Sequence, residues 1–140
     1  MILSEALTRV ALFRALSAEV LDHLIERGAT LKLPPGGHLV TQGAADSGFQ
    51  LVVKGGAIVS VNGVERATLA PGDYFGEISL IDHAPRSATV VAGPEGVETF
   101  ALSSLTFAAL MDDHPEVARA LLPVLTARVR AAEASPGHDH

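Results

Sequence analysis

The stretch Gly72–Val91, GDYFGEISLIDHAPRSATVV, gathers a carboxylate, a cation and several small or hydroxylated residues in one short segment. Glu77 follows Phe75-Gly76 and opens a helix-compatible piece, Glu77–Ile81, inside an otherwise β-rich region. A helix N-terminus leaves backbone N–H groups unpaired and carries a partial positive charge, which suits a phosphate. Gly76, with no Cβ, would let a ligand approach the backbone closely. Arg86 lies beyond a loop containing Pro85, and a guanidinium grips phosphate oxygens in a fork. Glu77 is an acceptor suited to a ribose hydroxyl. Taken singly these residues are ordinary: a first-turn carboxylate, a solvated arginine, a strand-edge serine at Ser87, turn glycines at Gly72 and Gly76. Together they suit a small ligand with an anionic end and a hydroxyl beside it.

Positioning such a set needs a rigid frame, and the rest of the chain supplies one. Residues 4–28 read as helical, with Ser4 and Ser17 as N-caps and Gly28 at the C-terminus, where positive φ is wanted. Short β-rich runs follow between turn signals: ATLKL, HLVTQG, FQLVVK, AIVSV and VERATL. Asn62-Gly63 between two of them predicts a two-residue hairpin. Pro71-Gly72 fits a type II turn. Two further strands, 87–92 and 97–103, flank a Gly93-Pro94 turn. At least seven short strands at this spacing predict a closed or double-sheet β-roll. Ser103 then caps a helix carrying Phe107, Leu110 and Met111 on one face, and Pro115 opens the last helix at its first position. Pro123 is expected to kink or divide that helix.

Composition narrows the function. The 140 residues are 48% apolar and 19% charged, enough for one domain with a real core. With no Cys, disulfides, thiol chemistry and Cys-zinc sites are excluded. No apolar run approaches the ~20 residues of a membrane span, and no signal-peptide layout appears, so a cytoplasmic protein is expected. A formal net charge of −6 argues against broad contact with nucleic acid and makes any anion site a local exception. His23, His38, His83 and His114 share no metal spacing, and His138 and His140 stand in the SPGHDH end, so no metal site is expected.

The run FGEISLIDHAPRSATV resembles the phosphate-binding cassette of the cyclic nucleotide-binding domain family, which includes catabolite activator proteins, protein kinase A regulatory subunits and cyclic-nucleotide-gated channels. The resemblance extends over roughly residues 5–134, and it implies a mainly β fold with flanking helices. That fold is a double-stranded β-helix, or jelly-roll-like β-roll, with N-terminal helices over 1–28, the roll and cassette over 29–102 and C-terminal lid helices over 103–134. Residues 1–134 would form one domain and 135–140 a flexible tail. By this resemblance Glu77 accepts from the ribose 2′-hydroxyl, and Arg86 pairs with the cyclic phosphate beside the N–H groups of Ile78 and Ser79. Gly76 lines the same site, and Ser87 adds its hydroxyl and N–H. Gly43, Asp46, Phe49 and Gly56 fit the family's earlier turn and strand, while Ala44 departs from a commonly acidic position. The final helix would close over the base with Arg128, or Arg130, facing the purine; the spacing of channel-type members favours Arg128. In the ligand-free chain Glu77 and Arg86 are expected to pair. The implied function is a sensor, not an enzyme, with no cofactor, cAMP favoured over cGMP as ligand, and a protein effector as partner. One rival is a degenerate member acting as a nucleotide-independent interaction module. Another is a cupin-type metalloenzyme, but the strands offer no His-x-His and Glu cluster.

Overall fold

The computed structural model describes residues 2–44, 48–82 and 84–134. Three short helices come first: α1 (Leu3–Leu7), α2 (Ala11–Arg14) and α3 (Ala18–Arg27). The region expected to be helical over 4–28 is therefore divided into three helices. Ser17 caps α3 by accepting a hydrogen bond from the Val20 N–H at 3.2 Å. Ser4 does not cap; it lies inside α1, whose N-cap is Ile2. Gly28 ends α3 with φ −80 and ψ 173, extended rather than left-handed. Its glycine is needed for space. A Cβ there would stand 2.2 Å from the Phe100 ring.

Among the described residues six strands follow in one antiparallel sheet: β1 (Ala29–Leu33), β2 (His38–Val40), β3 (Phe49–Val61), β4 (Val64–Leu69), β5 (Tyr74–Phe75) and β6 (Thr89–Leu102). The path runs β1-β6-β3-β4, with β2 on β6 and β5 on β3. Asn62 and Gly63 join β3 to β4 with φ values of 52 and 79, the two positive angles a type I′ turn requires. At Pro71-Gly72 the Asp73 N–H donates to the Ala70 carbonyl at 2.9 Å, closing the expected turn. Two expected separations are absent. Gly55-Gly56 does not end a strand, and Gly93-Pro94 does not reverse the chain. Instead β3 and β6 run together from Phe49↔Leu102 to Ser60↔Thr89. Register shifts at Val52/Lys54 and Gly55/Ala57 let both bend at the same corner.

Helix α4 (Ser79–Asp82) sits between β5 and β6, and α5 (Ser104–Asp113) and α6 (Pro115–Glu133) complete the chain. Ser103 caps α5 through the Thr106 N–H at 3.0 Å, and Pro115 opens α6 as expected. Pro123 does not divide α6, which continues through it. Two apolar cores result. One packs α1, α2, α3, α5 and the start of α6 on the end of the sheet, with Phe13 meeting Phe49 edge-on at 5.0 Å and Phe107 at 6.2 Å. The other fills the roll with Val40, Val52, Ala57, Val90, Ala92 and Val97. The histidines are less isolated than their spacing suggests: His23 Nδ1 lies 3.2 Å from His114 Nε2, joining α3 to the α5–α6 junction. Among the described residues no group of three or more metal-ligating side chains forms, and no helix is long and apolar enough to cross a membrane. Asp46, His83, His138, His140 and the expected tail at 135–140 lie outside the described residues.

Candidate functional site

Strand β5 lies against β3, with Phe75 opposite Gln50 and Tyr74 opposite Leu51. The chain leaves it at Gly76, whose φ is +82. A Cβ at Gly76 would lie 2.1 Å from the Gly48 carbonyl oxygen and 2.9 Å from Arg86 Nη1. Only glycine lets backbone and guanidinium close on one another here. Glu77 and Ile78 then form a turn, so α4 starts at Ser79, two residues later than the sequence suggests. The Leu80 N–H donates to the Glu77 carbonyl at 3.3 Å, and Ile81 to Ile78 at 2.9 Å. Bonding within the turn begins at Leu80, so the N–H groups of Ile78 and Ser79 stand outside it. Buried Leu80 anchors α4 below, and the Ser104 hydroxyl donates to the Ser79 carbonyl at 3.1 Å.

Arg86 is fixed at backbone and side chain alike. The Gly43 N–H donates to its carbonyl at 2.8 Å, and its own N–H donates to the Ala44 carbonyl at 3.0 Å. The loop after β2 therefore holds the Arg86 backbone, and the alanine at position 44 takes part in that contact through its carbonyl. Nη1 of Arg86 donates to Ser79 Oγ at 2.9 Å, and its guanidinium lies 5.6 Å from the Phe75 ring centroid. Gly76, Glu77, Ile78, Ser79, Arg86 and Ser87 line one cavity of about 400 Å³. All six cassette residues singled out in the sequence thus come together.

The seventh, Arg128, reaches Glu77 from α6 without lining that cavity. Its Nη2 donates to Glu77 Oε1 at 2.5 Å, an ion pair spanning the length from cassette to last helix. The expected Glu77–Arg86 pair is absent, because Ser79 and the Phe75 ring hold the Arg86 guanidinium while α6 brings Arg128 to the carboxylate. Arg130, two residues on, sits about 200° around the helix and is exposed. The Glu77 side chain is only 12% exposed. Its Oε2 is buried and accepts no hydrogen bond among the described residues. Burial pushes the Tyr74 phenol above its usual range; the Glu77 carboxylate adds to the rise, and Arg128 and Arg14 oppose it.

Sequence reasoning missed several participants. Phe75 faces the guanidinium, and an aromatic directly before Gly-Glu was the available signal. Gly48, whose carbonyl meets Gly76, gave no local signal, since its partner is far along the chain. Asp82 also lines the cavity. Gly43 joins the site through Arg86, whereas Phe49 is a core residue and Gly56 belongs to the corner of β3.

Comparisons with known proteins identify the family. The family described as "Cyclic nucleotide-binding domain" matches residues 30–114. The "Cyclic AMP receptor protein" of Thermus thermophilus is 35% identical over 127 residues, covering 87% of this chain and 58% of that protein. The "cAMP-dependent protein kinase regulatory subunit" of Yarrowia lipolytica is 47% identical over 60 residues, 41% of this chain and 16% of its own length. The chain therefore spans less than two thirds of either relative. The crystal structure of the N-terminal domain of a transcriptional regulator from Streptomyces coelicolor A3(2) superposes with TM-score 0.80 at 30% identity, covering 93% of this chain and 96% of that one.

Proposed function

The chain belongs to the cyclic nucleotide-binding domain family, and from that premise we propose that it senses a cyclic 3′,5′-nucleotide, cAMP in preference to cGMP, and signals through its last helix. One observation carries the reading furthest: the buried, undonated Oε2 of Glu77 beside a cavity lined by Arg86. A buried acceptor left without a donor costs about 1–3 kcal/mol, and a ribose hydroxyl would supply one. Arg86 then neutralises the cyclic phosphate, with the N–H groups of Ile78 and Ser79 and the hydroxyl and N–H of Ser87 completing its contacts. Gly76 keeps the floor of the site free of a side chain.

Arg128 is the residue through which binding reaches α6. It already touches the ribose-binding carboxylate, so a ligand at Glu77 perturbs the ion pair that fastens the helix. Arg128 then turns to the base, and the helix moves. A ligand biases such a movement only by contacting the moved element, and Arg128 is that contact. The preference for cAMP rests on the cyclic AMP named in the Thermus and Yarrowia relatives. In this reading residues 1–134 act as one regulatory domain in the cytoplasm, perform no catalysis, need no cofactor and pass the signal to a protein effector. Isothermal titration of the chain with cAMP, cGMP and 5′-AMP tests it. Saturable binding with cAMP tightest is expected; heats indistinguishable from dilution for both cyclic nucleotides would overturn it.

A further inference from the structure

Asp82 ends α4 and lines the same cavity as Arg86, Ser79 and Ser87. A carboxylate beside an anion-binding pocket opposes the ligand, so its placement there calls for a reason. Part of the reason is local. Asp82 Oδ1 accepts from the Ala84 N–H at 2.9 Å, an Asx-type turn that starts the loop back to Arg86. An asparagine would make the same hydrogen bond, however, so the turn does not explain the charge. The turn also fixes where the charge sits, because a carboxylate held by its own loop does not swing away from the pocket.

Among the described residues the charges that line the cavity are Glu77, Asp82 and Arg86. Glu77 is compensated by Arg128 from α6. On binding Glu77 turns to the ribose hydroxyl, and of these charges the Arg86 guanidinium and the fixed Asp82 carboxylate face the phosphate. We infer that Asp82 is a specificity-determining residue that sets the pocket for a singly charged cyclic phosphodiester and against doubly charged linear phosphates. The physical ground is that a fixed potential acts in proportion to the ligand's charge. Asp82 lowers the attraction for a monoanion once and for a dianion twice. It gives up some affinity for the cyclic ligand in exchange for discrimination. For an exposed carboxylate several ångströms from the phosphate, screened by water, Coulomb's law gives roughly two- to threefold in affinity per unit of ligand charge. Salt weakens an effect of this kind.

This inference rests on the cyclic nucleotide reading, and its test separates the two. The probes are cAMP and 5′-AMP at about pH 7.5, where a terminal phosphate is mostly dianionic. Asp82→Asn keeps the acceptor for the Ala84 N–H and removes the charge; Asp82→Glu keeps the charge and alters the turn. In Asp82→Asn, affinity for cAMP should rise roughly two- to threefold and that for 5′-AMP about four- to ninefold, narrowing selectivity roughly two- to threefold. The narrowing should shrink in high salt, and Asp82→Glu should retain the wild-type ratio. If cAMP binds the wild type but Asp82→Asn leaves the ratio of affinities unchanged, the filter is overturned while the sensor reading stands. If Asp82→Glu narrows the ratio as much as Asp82→Asn, the turn rather than the charge is responsible and the inference also fails. A wild-type chain that binds no cyclic nucleotide removes both.

Discussion

Arg86 is held by the Ser79 hydroxyl, the Phe75 ring and two backbone hydrogen bonds before any ligand arrives. A guanidinium so placed needs little reorganisation to receive a phosphate. Truncating one partner of a buried charge pair costs about 2–5 kcal/mol, so Arg86→Ala should weaken cAMP binding roughly thirty- to several-thousand-fold by isothermal titration. Glu77→Ala should lose less, about 1.5–3 kcal/mol, because it gives up a hydrogen bond to a neutral hydroxyl. Near-native affinity in a folded Arg86→Ala protein would mean that the phosphate sits elsewhere. Tyr74 reports on the same cluster without any ligand. It is the one tyrosine of the chain, so its phenol is followed cleanly by ultraviolet absorbance. Its ionisation should fall above the ordinary value of 10.0, since burial and the Glu77 carboxylate raise it. Removing the carboxylate with Glu77→Gln should bring the midpoint down. Arg128→Ala removes a cation that lowers it, so the midpoint should go up. Shifts of the opposite sign would mean that the pair does not form in solution.

Helix α6 is fastened at its start by Val117 and Leu121 in the core and later by the Arg128–Glu77 pair. Between them stands Pro123, which donates no hydrogen bond and leaves the Arg119 carbonyl without its helical partner. Both residues are exposed, which leaves that side of the helix open to solvent, and the helix continues. The missing bond makes this the place where bending costs least. On adding saturating cAMP, hydrogen exchange over 115–134 should change, most strongly beyond Pro123. Unaltered exchange throughout that range would leave α6 without a role in signalling. In the same helical core, Gly28 joins α3 to β1 under the Phe100 ring. Its φ of −80 suits alanine, but the added Cβ would meet ring atoms at 2.2 Å. Phe100 is buried and cannot yield freely, so Gly28→Ala should cost about 1–3 kcal/mol in urea unfolding, as overpacking does. A stability within a few tenths of a kcal/mol of wild type would show that the junction gives way easily.

At the scale of the whole molecule, the cassette stands where the two cores meet. Leu80 of α4 belongs to the helical core, and Phe75, one residue before Gly76, packs on the core of the roll. Ligand contacts at Glu77, Arg86 and Arg128 would therefore tie together α4, the loop before β6 and α6. A ligand that binds only the folded chain adds about 2.7 kcal/mol at a hundredfold excess over its Kd. For a chain of this size that is a rise of roughly 5–15 °C in Tm. Differential scanning calorimetry should show it with cAMP, and the same cAMP concentration should give at most about a third of that rise in Arg86→Ala. An equal rise in that variant would separate stabilisation from the cassette.

The sequence alone determined what depends on neighbours along the chain. Ser17 and Ser103 cap helices through bonds three residues ahead, Asn62-Gly63 carries the two positive φ values of its turn, and Pro115 fits a first helical turn. The cassette was legible for the same reason: Gly76, Glu77, Ile78, Ser79, Arg86 and Ser87 lie within one short run. Tertiary structure decided the rest. A glycine pair reads alike whether the chain reverses or bends, and only the pairing of β3 with β6 makes Gly55-Gly56 and Gly93-Pro94 corners within long strands. Gly28 looked like a helix end needing positive φ, but its true constraint is the Phe100 ring from β6. Glu77 found Arg128 rather than Arg86, and His23 found His114, because packing of α6 and α5 brings together groups whose separation in sequence carries no signal. Local backbone preference writes caps, turns and motifs into the chain. Which distant charge or ring completes them follows from where burial of the apolar faces places the helices on the sheet.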